Sequence, residues 1–429
     1  MTLPPGPRLP RALQTLAWIT RPGPWMERLR GRYGDAISLR IAHEGTWVLL
    51  SDPAAVRQVF TADPRVLHAG EANVILRPIL GARSVLLLDE EPHMAQRKLL
   101  LPAFHGERMK AYRELIEVVA AREVARWPAG VPVATRPRMQ ALTLEVIMRA
   151  VVGSQDPRLR AAVGAMLEWT TDQRRLLLLA ALGPDRVERR RMFRGVLDPV
   201  DALLAAEIAR RRAAPGGDDI LSALVRTPMD DRELRDELVT LLVAGHETTA
   251  TALAWALERL ARHPAAWARL RAGDEAYLDA VVKETLRLRP VLPIVLRRLT
   301  EPLELGGWAL PAGVSVAPCI FLLHRRADLY PDPHAFRPER FLDRPAGTYT
   351  WIPFGGGVRR CLGASFALFE MTTVLRAIAA RVERLAPDRP GAEPIARRAI
   401  TLVPARGATV SAAPRAATAS PARPVPSGR

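Results

Sequence analysis

The stretch that decides the fold reads FGGGVRRCLGA, Phe354–Ala364. It presents one cysteine, Cys361, after a run of glycines and directly before an apolar, helix-forming segment. A thiolate in that place sits at a helix N-terminus, where backbone N–H groups and the helix dipole favour negative charge. Gly355, Gly356 and Gly357 permit a sharp turn ahead of it, and Gly363 lets the helix backbone approach a flat partner closely. The arrangement suits the presentation of a single sulfur to a metal lying in a plane. Taken alone, a cysteine after a glycine turn is as readily an ordinary buried residue.

The spacing adds to this. Phe354, Gly357, Arg359, Cys361 and Gly363 fall on the pattern F-x-x-G-x-R-x-C-x-G, in a chain with one other cysteine, Cys319. This resembles the heme-binding loop of the cytochrome P450 family. The resemblance implies that Cys361 is the axial ligand of the iron of heme b (iron protoporphyrin IX), with Phe354, Gly357 and Gly363 shaping the loop.

Composition bounds the alternatives. At 429 residues, 48% hydrophobic and 25% charged, the chain reads as an ordinary globular protein. Two cysteines argue against a disulfide framework and fit a reducing cytoplasm. There is no run of eighteen apolar residues, so no membrane span is expected, and Leu13–Ile19 lacks a cleavage site for a signal peptide. The net charge of +17 invites a nucleic-acid reading. Lys occurs only at 98, 110 and 283, however, so 62 − 3 = 59 of the basic residues are Arg. They are spread along the chain, and aromatics make up only 5%, which is poor for base stacking. We read this bias as compositional and expect no nucleic-acid partner.

Along the chain, residues 1–34 are Pro-rich with one short amphipathic segment, Trp25–Tyr33. Ala36–Leu50 alternates around Gly45 as a hairpin, and Asp52–Phe60 opens on an Asp-Pro helix start. His68–Ser84 reads as a loop with about one helical turn. Helical patterns follow over Glu91–Arg126, broken at Pro102, then over Ala141–Val152, 158–181 and Arg186–Arg212. The run Leu176–Leu182 is too short to span a bilayer. The longest helical pattern extends from about Arg232 to His263, with Asp230 and Asp231 as start and Pro264 as stop. Short strands and a Pro-rich meander, Asp328–Asp343, precede the cysteine loop. The expected fold is mainly α with small β-sheets, a P450-like architecture around one long central helix. One catalytic domain covers 1–411, and 412–429 reads as a disordered tail.

The long helix carries Ala244-Gly245-His246-Glu247-Thr248-Thr249. Small residues there leave room for a ligand, Thr248 can bond back to a carbonyl and bend the helix, and Glu247 beside a hydroxyl is a proton route. The segment resembles the oxygen-activating helix of the family, which implies that Thr248 steadies dioxygen while Glu247 relays protons. His246 is not assigned as a ligand. Glu284 and Arg287 share a helix face. That spacing recurs at Glu27/Arg30, Glu123/Arg126, Glu188/Arg191 and Glu207/Arg210, so position selects this pair. The resemblance implies that Arg340, in Phe336–Phe341, completes a structural triad with it. It also implies that His93 and Arg97, four apart on one helix, grip the heme propionates with Arg359 and Arg297, although Arg298 could replace Arg297. Substrate contacts are expected from Val74, Leu76 and Leu80, from Val243 and Ala244, and from Val291, Ile294 and Val295. These are apolar, which favours a hydrophobic substrate.

The resemblance runs from about Pro4 to Ser411 and implies a heme-thiolate monooxygenase. Such an enzyme places one oxygen atom from O2 into a hydrophobic small molecule of fatty-acid, terpenoid, steroid or polyketide type. No flavin or nicotinamide region is left over, so electrons should come from a separate ferredoxin or flavodoxin with its reductase. Lys98, Arg108, Lys110, Arg113 and Arg360 are candidates for docking that acidic partner. Two other classes stay open. A peroxide-using peroxygenase of the same superfamily would turn over without a reductase. A non-enzymatic heme or nucleic-acid binder would show no thiolate-type spectrum or no turnover.

Overall fold

A computed structural model describes residues 2–104, 108–172, 175 and 191–414. The run Leu176–Leu182 and residues 415–429 lie outside the described residues, as does the start of the Arg-rich helix, which is described over Arg191–Ala213.

A 31-residue helix, Asp231–Ala261, crosses the middle of the molecule. It starts where a capping box fixes it: Asp230 accepts from the N–H groups of Arg232 and Glu233, and Glu233 returns a bond to Asp230 N, all at 2.9 Å. Leu238 to Leu260 are almost entirely buried, because the helix packs against others on several sides. Its neighbours are the helices Thr135–Ile147, Glu275–Leu288 and Ala364–Arg381, the last of which follows Cys361. Among the described residues, no helix is long and apolar enough to cross a membrane.

Twelve short strands form the sheets among the described residues. The largest has the order β1 (Ala36–Ile41), β2 (Gly45–Leu50), β8 (Ser315–Pro318), β5 (Arg297–Leu299) and β3 (Leu67–His68). In it β1 and β2 make the hairpin Ala36↔Leu50 to Ile41↔Gly45, and β2 runs parallel to β8. β4 (Pro132–Ala134), β12 (Thr409–Pro414) and β9 (Val382–Pro387) form a three-stranded sheet. β6 (Leu303–Leu305) pairs with β7 (Trp308–Leu310), and β10 (Ile395–Arg398) with β11 (Thr401–Pro404).

Three sequence readings are corrected. The N-terminal region holds two helices rather than one, Arg11–Thr20 and Pro22–Tyr33; the first starts directly after Pro10 and buries Gln14, Thr15, Trp18 and Ile19. His68–Ser84 is not a plain loop: it contains β3, helical turns at Ala69–Ala72 and Arg77–Leu80, and a 3-10 turn at Val74–Leu76. The ordered chain does not stop at Ser411. Ala412 pairs with Leu385 and is buried, so the first three residues assigned to the tail complete β12. Alanine carries little strand preference of its own, and pairing decides it here.

Candidate functional site

The cysteine loop is closed by its own backbone. Cys361 N donates to Phe354 O at 3.0 Å and Arg360 N to Gly357 O at 3.1 Å. Gly357 has φ +65°, and a Cβ there would lie 2.3 Å from Phe60 O; a Cβ on Gly356 would strike the Phe60 ring at 2.2 Å. The glycine run is therefore set by close packing on Phe60 as well as by the turn. Phe354 packs edge-on against Trp351, with centroids 6.1 Å apart. Gly363 is the cap of the helix Ala364–Arg381, and a Cβ there would meet only Phe104, at 4.0 Å. The cysteine helix thus begins beside open space.

Cys361 is exposed, yet burial pushes its thiol above the usual value, against Gly363 N–H, Arg97 and Arg360. Both hold when the sulfur faces a space enclosed by protein. Ala244 also has free surface, in a stretch of the long helix where Leu241, Leu242, His246 and Glu247 are buried. The helix N-terminus does lower the thiol through Gly363 N–H, but desolvation outweighs that contribution.

Four basic groups gather near this space. His93 and Arg297 are buried, at 3% and 7% exposure. Burial, then Arg359 and Arg97, push the His93 ring down to about 4. Burial and Arg359 push Arg297 down to about 10, and burial also lowers Arg97 and Arg359. Arg298, by contrast, is 39% exposed and lies 3.9 Å from Glu71. Arg359 donates to Val85 O, Leu88 O and Asp89. Among the described residues, neither the His93 ring nor the Arg97 guanidinium has a hydrogen-bond partner. Asp89 is the carboxylate in reach, and it already accepts from Arg359, Gly70 N and Glu71 N. The cluster carries a surplus of buried positive charge, which calls for an anionic partner.

On the long helix, Thr248 Oγ1 donates to Ala244 O at 2.6 Å. Glu247, 6% exposed, is gripped at 2.6 Å by Arg136 Nη2 on one oxygen and by Gln140 Nε2 on the other. One face of the helix Thr135–Ile147 makes the whole clasp. Below Arg136 and Gln140, Thr143 meets His246 Nδ1 at 2.9 Å, and Ile147 lies where a Cβ on Gly245 would be, 2.7 Å away. Burial pushes His246 down to about 4, which keeps it a neutral packing residue. Sequence reasoning missed Arg136 and Gln140. They stand more than a hundred positions from Glu247, and no local pattern marks them.

Glu284, wholly buried, accepts two bonds from Arg287, at 2.7 and 2.8 Å, one from Arg340 at 3.2 Å and one from Arg337 N at 2.8 Å. Arg287 also donates to His324 O, Pro333 O and Ala335 O, so the pair ties its helix to the meander. Of the apolar set, Val74, Leu76, Val243, Ala244, Ile294 and Val295 retain accessible surface. Leu80 and Val291 are corrected to core positions, at 3% and 8% exposure, because tight packing leaves them little free surface.

A thiol with accessible surface beside Arg97, and three arginines set against the one carboxylate of Asp89, suit an anionic partner that also carries a metal. The cytochrome P450 family model matches residues 4–398. The chain is 44% identical over 421 residues to cytochrome P450 135B1 of Mycobacterium tuberculosis, covering 93% of this chain and 89% of that one. It is 40% identical over 418 residues to cytochrome P450 135A1 of the same species, covering 93% of each. Among solved structures it is similar to retinoic acid bound cyanobacterial CYP120A1, with a TM-score of 0.85 and 24% identity, covering 97% of this chain and 100% of that one.

Proposed function

The chain belongs to the cytochrome P450 family of heme-thiolate monooxygenases, which bind heme b, and on that premise we propose how its own residues serve the reaction. Cys361 would hold the heme iron, and His93, Arg97, Arg297 and Arg359 would hold the propionates. The observation that carries this is the surplus of Arg97, Arg297 and Arg359 over Asp89, beside a sulfur with accessible surface. Heme, when bound, supplies activation of O2 with two externally delivered electrons and insertion of one oxygen atom.

The chain supplies the rest. Thr248 Oγ1 presents a hydroxyl next to Ala244, and the neighbouring Glu247 carboxylate serves as the proton relay. Arg136 and Gln140 keep that carboxylate in place. Val74, Leu76, Val243, Ile294 and Val295 favour a hydrophobic substrate of fatty-acid, terpenoid, steroid or polyketide type. Retinoic acid, bound in the cyanobacterial neighbour, belongs on a spectral-titration panel of such compounds. Exposed Lys98, Arg113 and Arg360 support docking of an acidic ferredoxin or flavodoxin.

Reduced protein exposed to CO should show the red-shifted Soret band of thiolate-ligated heme, and Cys361→Ser should abolish it. A band that survives the substitution removes the assignment.

A further inference from the structure

β1 lies at the edge of its sheet, and its outward N–H groups at Ser38 and Arg40, with that of Ala42 just past its end, need acceptors. The N-terminal segment supplies all three: Pro5 O at 3.0 Å, Gln14 Oε1 at 2.9 Å and Thr15 Oγ1 at 2.9 Å. Gln14 Nε2 also donates to Leu9 O and Pro7 O, which binds the strap ahead of the helix to the same edge. These bonds fix the rotation of the helix Arg11–Thr20. Gln14 and Thr15 turn inward with Trp18 and Ile19, at 1% and 7% exposure for the two polar residues. Leu13 and Leu16, one turn apart, turn outward at 49% and 46%. Leu3 and Leu9 on the strap are 43% exposed. Four of the ten large apolar side chains most exposed among the described residues thus fall within residues 3–16, so exposure of this kind is concentrated in the N-terminal segment.

The charge around the patch has one sign. Arg8, Arg11, Arg21 and Arg40 are exposed and make no ion pair among the described residues, and Arg40 Nη2 is held on Leu9 O at 3.0 Å. Residues 1–26 contain no Asp or Glu. Outward leucines between unpaired arginines complement a surface that is anionic above and apolar beneath. A second copy of the chain would bring an equally cationic rim against this one, which opposes self-pairing. Ten residues are too few to span a bilayer, so such a helix lies in the interfacial plane. We infer that the strap and the helix Arg11–Thr20 form a peripheral docking surface for a bilayer bearing anionic phospholipid.

The test is cosedimentation of the full-length, heme-loaded protein with vesicles of phosphatidylcholine alone or mixed equally with phosphatidylglycerol. The protein should pellet with the mixed vesicles and not with phosphatidylcholine alone. Raising salt to roughly 0.5 M should weaken binding, as the short screening length requires. Leu13→Ser with Leu16→Ser should lower the bound fraction about tenfold, in keeping with the loss of buried apolar contact. Both side chains are outside the core, so the CO-difference spectrum of this variant should match that of the parent. Arg8→Gln with Arg11→Gln and Arg21→Gln should lower binding while leaving the leucines intact. Absence of binding to the mixed vesicles overturns the inference. So does equal binding by the leucine variant, which would assign attachment to another part of the chain. A dimer in size-exclusion chromatography that the leucine variant disperses overturns it too, since the patch would then be covered by a second copy.

Discussion

Glu247 owes its position to two donors on another helix, Arg136 Nη2 and Gln140 Nε2, both at 2.6 Å. Both members of the Arg136–Glu247 pair are about nine-tenths buried, so removing one partner strands the other. Arg136→Ala should cost about 3 kcal/mol of stability, and Glu247→Gln in that background should recover part of it. A double-mutant cycle by thermal melting checks this, and strictly additive losses would refute the coupling. Glu370 poses the opposite case. It is 1% exposed, its Oε1 has no hydrogen-bond partner, and burial pushes its carboxyl up to about 8. The folded state therefore holds a proton that the unfolded chain releases near its ordinary value. Stability should fall as pH rises from about 4.5 towards 8, with a cost of about 3 kcal/mol by pH 7. Glu370→Gln should raise the melting temperature at pH 8 and leave it almost unchanged at pH 5. An equal shift at both pH values would remove the basis for this.

Between elements, the Glu284–Arg287 pair acts as a fastener. One carboxylate on the helix Glu275–Leu288 collects Arg287, Arg340 and Arg337 N, while Arg287 reaches three carbonyls of the following chain. Glu284→Ala would leave Arg287 buried without its carboxylate, a loss of about 3 to 5 kcal/mol. We expect little heme-loaded protein from this variant, and Glu284→Gln to retain more because it keeps one acceptor oxygen. Heme incorporation per polypeptide is the measurement, and normal loading of both variants would count against the fastening role. The helix Arg11–Thr20 shows the same dependence of one element on another. Its rotation satisfies the outward N–H groups along β1 through Gln14 and Thr15 while its apolar face buries Trp18 and Ile19.

At the scale of the molecule, the net charge of +17 is an excess of basic groups over acidic ones, and Lys98, Arg113 and Arg360 are among the exposed ones. Turnover supported by an acidic ferredoxin should weaken as salt rises, through the apparent affinity for ferredoxin rather than the maximal rate. Turnover that does not respond to salt would discard electrostatic docking. Local chemistry made part of this molecule legible in advance. The capping residues of the long helix, the Gly45 hairpin, the F-x-x-G-x-R-x-C-x-G spacing and the acid–hydroxyl pair Glu247-Thr248 each depend on neighbours a few positions away. Sequence alone therefore determined the family, the central helix and the cysteine. It did not show Arg136 on Glu247, Asp89 on Arg359, the burial of Arg297 rather than Arg298, or the outward leucines of Arg11–Thr20. Each of these joins residues far apart in the chain. Only the tertiary fold decides which distant charge is desolvated beside which, and which face of a helix a strand edge claims.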